Sequence, residues 1–367
     1  MKRLCIFYHN TGSLGHARIV YSLVKAIAAQ AGRKIGITVI ETGEKKIQLF
    51  PVNLYAQTHF IPMRCGSHDW SRALMRKTNM IRPHVFLTEQ YPFFRHPEHK
   101  LLLPVLLDLR SSGTITVSST THMDWTDTLH SFLPKAYDMI LYHRPKTEIR
   151  AYKHYLSSHE QNKLESILKV CRKMLFPTGF IYDHEKEDSF RDRKESRRRS
   201  LSIVVSRGGL AENACFIHQC LKLALKRKDW HFTISMGAMA FPRNLRRLLG
   251  RLDNLDYFSW SYPGFENSLR SADISLNLAG YNTMVFLLRH KIPTLIFPVK
   301  TAEQHWNAEF LKQHLAVRII NAHDTTAQYL ENMIIQLQKE KHLEAPAVPD
   351  DWFNGASRSA DLILEHL

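Results

Sequence analysis

Several short stretches carry residue types suited to holding a phosphorylated sugar and moving a proton. Gly280-Tyr281-Asn282-Thr283 lies between an apolar run, 272–278, and a helical run to about His290. A small-residue turn lets backbone approach a ligand, and free N–H groups at a helix start favour phosphate. Asn282 and Thr283 are cap-type side chains there. After a strand at 294–299, Glu303 and Gln304 fall in the first turn of a second helix, where a carboxylate beside an amide can read sugar hydroxyls. The two helix starts make a place to hold a nucleotide sugar, although an ordinary open αβ sheet carries the same turns. Ser206-Arg207-Gly208-Gly209 is a glycine turn of the same kind. Gly12, Gly15 and His16 form Gly-x-x-Gly-His between a strand and a helix, which is not the dinucleotide fingerprint. A helix start keeps imidazole neutral, so His16 can act as a general base; a capping or packing role serves it equally well. Glu89 and Gln90 end a strand at 85–88, at the sheet edge where ligands bind, or else they sit in a solvated loop. His122 and Asp124 lie in a polar run, 118–127, read as a loop over the same edge, and the sequence does not place them further.

The elements that must position these residues alternate strand and helix along the whole chain. Repeated βα units predict an α/β protein with parallel sheets covered by helices on both faces. The residues 183–200 are highly charged and nearly devoid of apolar side chains, so they cannot bury a core. The expected organisation is a Rossmann-like domain at 1–180, a charged linker at 181–200, a second Rossmann-like domain at 201–345, and a C-terminal helix at 346–367 crossing back onto the first domain. Two doubly wound domains in tandem are expected to face across a cleft, a common ligand site.

Composition narrows the function classes. The 367 residues are 44% hydrophobic and 10% aromatic, as in a soluble globular protein. The longest apolar run, 101–107, is interrupted by Pro104 and is far too short to span a membrane. Met1-Lys2-Arg3 leads directly into a strand, so no cleavable leader is read. The five cysteines are odd in number, scattered and free of CxxC spacing, which argues for reduced thiols in a cytoplasmic protein and against zinc. Of the net charge of +16, residues 1–180 carry 13, from 25 Lys and Arg against 12 Asp and Glu. A basic first half suggests an anionic partner: a phosphorylated or lipid-linked acceptor, an acidic membrane surface or nucleic acid. A basic surface kept for solubility is the alternative. The dispersal of the basic residues and the absence of a nucleic-acid motif argue against nucleic acid. Arg197, Arg198 and Arg199 read as a solvated charge run.

The residues 273–283 and Glu303-Gln304-His305-Trp306-Asn307-Ala308 resemble the donor-binding region of two-domain GT-B glycosyltransferases, in particular the MurG-type N-acetylglucosaminyltransferase family. Weaker likenesses follow in order at Gly12–His16, 88–93, 177–180 and 206–209, so the resemblance covers roughly 1–340. It implies inverting transfer of a sugar, GlcNAc or another hexose, from a nucleotide-diphosphate sugar, most readily a UDP-sugar, to a hydroxyl acceptor. It implies no metal and no cofactor. Ser206, Arg207, Gly208, Gly209, Gly280, Tyr281, Asn282 and Thr283 would face the donor diphosphate, and Glu303 and Gln304 its sugar. Gly12, Gly15 and Gln90 would meet the acceptor. His16 would be the base, with Glu89 as the alternative base or an orienting group. The partners implied are a nucleotide-sugar donor and an anionic or lipid-linked acceptor, with peripheral contact at the inner face of a membrane. One departure is clear: family members often carry a ribose-binding Glu where this chain has Phe286. An epimerase or hydrolase acting on UDP-sugars, or a non-catalytic binder of nucleotide or anionic polymer, are the alternatives on the same fold.

Overall fold

A computed structural model describes residues 1–10, 14–43, 55–62, 69–91, 99–122, 132–153, 157–183, 200–206, 214–235, 252–258, 262–297, 301–321, 325–340 and 346–367. Gly12, Asp124, Arg197–Arg199, Arg207, Gly208, Gly209 and nearly all of a helix expected at 244–252 lie outside the described residues. The chain divides into two compact units, residues 1–182 together with 350–367, and residues 183–349.

The first unit runs β1 (Lys2–Asn10), α1 (Leu14–Ala31), β2 (Ile35–Gly43), β3 (Gln57–Pro62), α2 (Asp69–Ile81), β4 (Val85–Glu89), α3 (His99–Ser111), β5 (Ile115–Thr120), α4 (Leu133–Ala136), β6 (Met139–Tyr142), α5 (Lys146–Tyr152), α6 (Ser158–Cys171) and β7 (Leu175–Pro177). Its sheet has the order β3-β2-β1-β4-β5-β6-β7, and every pairing is parallel. β1 is central, and Leu4–Phe7 are wholly buried. Helices cover both faces of such a strand, which is why it reads as a continuous apolar run and not an alternating one. The polar run expected as a loop at 118–127 is not all loop: Ser118, Ser119 and Thr120 complete β5, because their buried hydroxyls find partners inside the unit.

The second unit runs β8 (Leu201–Ser206), α7 (Ala214–Lys226), β9 (Trp230–Ser235), β10 (Leu255–Phe258), α8 (Tyr262–Arg270), β11 (Ile274–Asn277), α9 (Tyr281–His290), β12 (Thr294–Ile296), α10 (Ala302–Lys312), β13 (Val317–Ile319) and α11 (Ala327–Glu340). Its sheet is again wholly parallel, in the order β10-β9-β8-β11-β12-β13. Phe216 of α7 meets Phe297, just after β12, at 3.7 Å between ring centroids, within a core that also takes in Ile203, Phe232 and Ile334. Each such side chain removed from water is worth roughly 1.5–3 kcal/mol.

The final helix, α12 (Gly355–Leu364), belongs to the first unit and packs on α1. Its approach depends on two glycines. Gly179 has φ 90°, and a Cβ there would meet the Trp352 carbonyl oxygen at 2.7 Å; a Cβ on Gly355 would meet the Gly179 oxygen at 2.3 Å. The Phe180 N–H donates to the Trp352 carbonyl, and the Gly355 N–H donates to the Phe180 carbonyl at 2.9 Å.

Candidate functional site

In the first unit the strand order reverses between β1 and β4, and ligands of open α/β sheets bind at the carboxyl ends of the strands at such a switch point. His16 stands in the first turn of α1 and Glu89 is the last residue of β4, so the switch brings them together. His16 Nδ1 lies 2.8 Å from Glu89 Oε2. The Glu89 side chain is 1% exposed and that of His16 is 17% exposed, so a buried carboxylate supports an imidazole that reaches the surface. The contact is short without being aligned as a hydrogen bond, and catalytic contacts often align only when substrate is bound. Beside it, the Asn10 amide donates to Glu41 Oε1 at 2.7 Å. Burial, then the Glu41 and Glu89 carboxylates, holds the Tyr8 phenol far above its ordinary range, so it stays protonated and bonds Glu41.

Gln90 follows with a left-handed backbone, φ 68°. Its N–H donates to the Ser119 carbonyl at 2.6 Å, its side-chain nitrogen meets His122 Nδ1 at 2.7 Å, and Thr121 Oγ1 donates to its Oε1 at 3.4 Å. Gly15 is half-buried in the first turn of α1. His143 is wholly buried between the Ser119 and Thr178 hydroxyls, and burial pushes its imidazole down to about 3.

In the second unit the corresponding edge is built by β8, β11 and β12. Ser206 ends β8. Gly280 is the N-cap of α9, and no side chain caps this helix. Asn282 and Thr283 therefore stand inside its first turn and are not its caps, because the helix begins at Tyr281, which is itself buried. The turn before it is strained: Ala279 has φ 51°. Its N–H donates to Asn277 Oδ1 at 2.8 Å, and its carbonyl accepts from Asn307 Nδ2 at 2.7 Å. Asn277 in turn donates to Ser275 Oγ and Thr294 Oγ1. The α10 helix is capped by Thr301, whose hydroxyl accepts from the Gln304 N–H at 3.3 Å. Glu303 and Gln304 are half-buried in its first turn, and Gln304 Oε1 is shielded from solvent with no hydrogen-bond donor among the described residues. Phe286 is 1% exposed. Its ring lies 4.3 Å from that of His290 and 5.7 Å from the Arg270 guanidinium, so it is part of the core and offers no ligand contact.

The sequence reading named the two edges and included Asn277 and Asn307 in the stretches of resemblance, but it gave them no role and missed Glu41. Asn277 and Asn307 hold the turn before α9 although they lie 30 positions apart, and Glu41 stands with Tyr8 and Asn10. Only strand order joins such residues, and no local spacing announces it. Among the described residues no group of three or more His, Cys, Asp and Glu could hold a metal ion.

Comparison with known proteins places this geometry. Acinetobacter baumannii MurG superposes with a TM-score of 0.60 at 15% identity, covering 100% of both chains. The UDP-GlcNAc 2-epimerase of Neisseria meningitidis, solved with UDP-GlcNAc, superposes at 0.59 with 14% identity, covering 100% of this chain and 99% of that one. Residues 204–351 match the model of the glycosyltransferase family 28 C-terminal domain. The chain has the GT-B fold. The stretch that matches the family 28 model starts within β8 and takes in the strained turn, α9 and α10. The UDP-N-acetylglucosamine--N-acetylmuramyl-(pentapeptide) pyrophosphoryl-undecaprenol N-acetylglucosamine transferase of Campylobacter jejuni strain 81-176 is 27% identical over 195 residues, 50% of this chain and 56% of the relative. The match thus spans little more than half the length of that curated relative.

Proposed function

We propose that the protein is a metal-independent glycosyltransferase that takes a sugar from a UDP-sugar and places it, with inversion, on a hydroxyl of an anionic or lipid-linked acceptor. The family 28 domain on the second unit's sheet edge carries the reading. Backbone N–H groups of Gly280–Thr283 at the start of α9 face the donor diphosphate and stabilise the charge that develops as it departs, and the Ser206–Gly209 stretch is assigned to the same diphosphate. Gln304 Oε1, shielded and lacking a donor among the described residues, takes a sugar hydroxyl, and Glu303 takes another. His16 removes the acceptor proton as the hydroxyl attacks the anomeric carbon. Glu89 lies too deep to meet an acceptor itself; it keeps the ring proton on Nδ1, so that Nε2 is the base, and it stabilises the imidazolium that forms. Gly12, Gly15 and Gln90 border the acceptor. Because Phe286 is core, the ribose is held by another group.

A lipid-linked acceptor is supported by the name of the Campylobacter jejuni relative, which includes a pyrophosphoryl-undecaprenol substrate, and work at the inner face of a membrane by the basic first half of the chain. Among the described residues no helix is long and apolar enough to cross a membrane. A thermal-shift panel of UDP-, GDP- and dTDP-sugars, followed by mass spectrometry of the products, tests the proposal. Stabilisation by UDP-sugars and release of UDP with sugar transfer is expected. An epimerised or merely hydrolysed sugar would replace the transferase reading, and no response to any nucleotide sugar would remove it.

A further inference from the structure

The first unit contains a buried ion pair that the proposed chemistry does not use. Arg144 and Glu148 have side chains that are 0% exposed, and Arg144 NH1 contacts Glu148 Oε1 at 2.5 Å. Such pairs are poor stabilisers, since packed apolar side chains of similar volume usually serve as well or better. Burial pushes the Glu148 carboxyl up to about 7 even against the neighbouring guanidinium. A pair kept at that disadvantage is best explained by what it holds in place.

What it holds leads to the His16–Glu89 contact. Arg144 Nε donates to the carbonyl of Thr121. The Thr121 hydroxyl donates to Gln90 Oε1, and the Gln90 amide nitrogen meets His122 Nδ1, so Gln90 is gripped from two consecutive residues of one turn. A third grip is the Gln90 N–H on the Ser119 carbonyl. These contacts hold Gln90 in a left-handed backbone that a side-chain-bearing residue rarely adopts unaided. Glu89 is the preceding residue, so the direction of its carboxylate depends on that turn.

We propose that Arg144 and Glu148 are positioning residues: through the Thr121–His122 turn they fix Gln90, and through Gln90 they fix Glu89 beneath His16. The proposal rests on the reading of His16 and Glu89 given above.

The test replaces both charges at once, Arg144→Met with Glu148→Leu, so that neither is left buried alone. Thr121→Val, which keeps the ion pair and removes one grip on Gln90, covers the case in which the double variant fails to fold. UDP release from UDP-GlcNAc, UDP affinity, the urea unfolding midpoint and the His16 ring resonances (assigned against His16→Asn) are measured. The expected result is a near-unchanged UDP affinity, a tenfold or larger fall in kcat, displaced His16 resonances, and no additional fall in kcat when the changes are made in a Glu89→Gln background. Unmoved His16 resonances in a folded variant, or an undiminished further loss in the Glu89→Gln background, would overturn the positioning role. If the wild-type protein binds UDP yet releases none from any UDP-sugar, the transferase reading falls instead, and the ring resonances still decide whether the ion pair governs the His16–Glu89 contact.

Discussion

Asn307 donates its side-chain amide to the carbonyl of Ala279, 28 positions earlier in the chain. With Asn277 on the N–H, both backbone groups of a left-handed alanine are satisfied by side chains. A residue with a Cβ in that conformation costs roughly 1–2 kcal/mol, and the two amides offset it. The turn ahead of α9 is therefore set before any ligand arrives. Asn307→Ala leaves a buried carbonyl unpaired, so a stability loss of about 1–3 kcal/mol is expected, together with weaker UDP binding. Ala279→Gly, which adopts the same φ without strain, should restore part of the affinity in the Asn307→Ala background. Calorimetric titration with UDP across the four proteins checks this; affinities unaffected by Asn307→Ala would detach the turn from the site.

The contrast between Phe286 and His16 shows what the sequence could and could not disclose. The α/β pattern and the turns were legible, because strand runs such as Ile203–Val205 and glycine turns are written in consecutive residues. The apolar run around Phe286 likewise announced burial. That Glu89 meets His16 was not legible, since 73 residues separate them and only the order β2-β1-β4-β5 makes their ends neighbours. The expectation that Asn282 and Thr283 cap a helix failed for a local reason: side chains of cap type were read as caps, while the helix begins at Tyr281, behind a glycine.

His143 makes a pH prediction. Its folded imidazole stands at about 3 against an ordinary 6.5, because burial disfavours the charge. Between those values the folded state binds fewer protons than the unfolded one, so stability rises with pH across the window and is lost as pH falls from about 6.5 toward 3. The slope from this group is at most about 1.4 kcal/mol per pH unit. His143→Gln should abolish that component. The wild-type urea midpoint should fall relative to that of the variant as pH drops from 7 to 4, whatever their difference at pH 7; a difference independent of pH would mean that His143 is not held neutral.

The terminal helix should be sensitive to a single methyl group. A Cβ at Gly355 would meet three backbone atoms, of Gly179 and Phe180, none farther than 2.7 Å, and backbone there cannot yield as a side-chain tip would. Gly355→Ala is expected to destabilise the first unit by about 1–3 kcal/mol and to expose residues 350–367 to protease, whereas Asp361→Ala, at an exposed position of the same helix, should do neither. Limited proteolysis read by mass spectrometry decides it, and an intact C terminus in Gly355→Ala would show that the segment docks differently.

The His16–Glu89 contact separates binding from chemistry. His16→Ala should reduce kcat by roughly 100- to 10,000-fold, the range expected for a lost general base, and leave UDP affinity unchanged, because the residues proposed for the donor all lie in the stretch that matches the family 28 model. Glu89→Gln keeps the shape and removes the charge, so the imidazolium loses its support and the favoured ring tautomer its anchor. A smaller fall in kcat is expected, with KM for the UDP-sugar held constant. The double variant should be no slower than His16→Ala alone, since Glu89 acts only through the ring. Additive losses would instead give Glu89 a role of its own on the acceptor, and full turnover by His16→Ala would remove the imidazole from the mechanism.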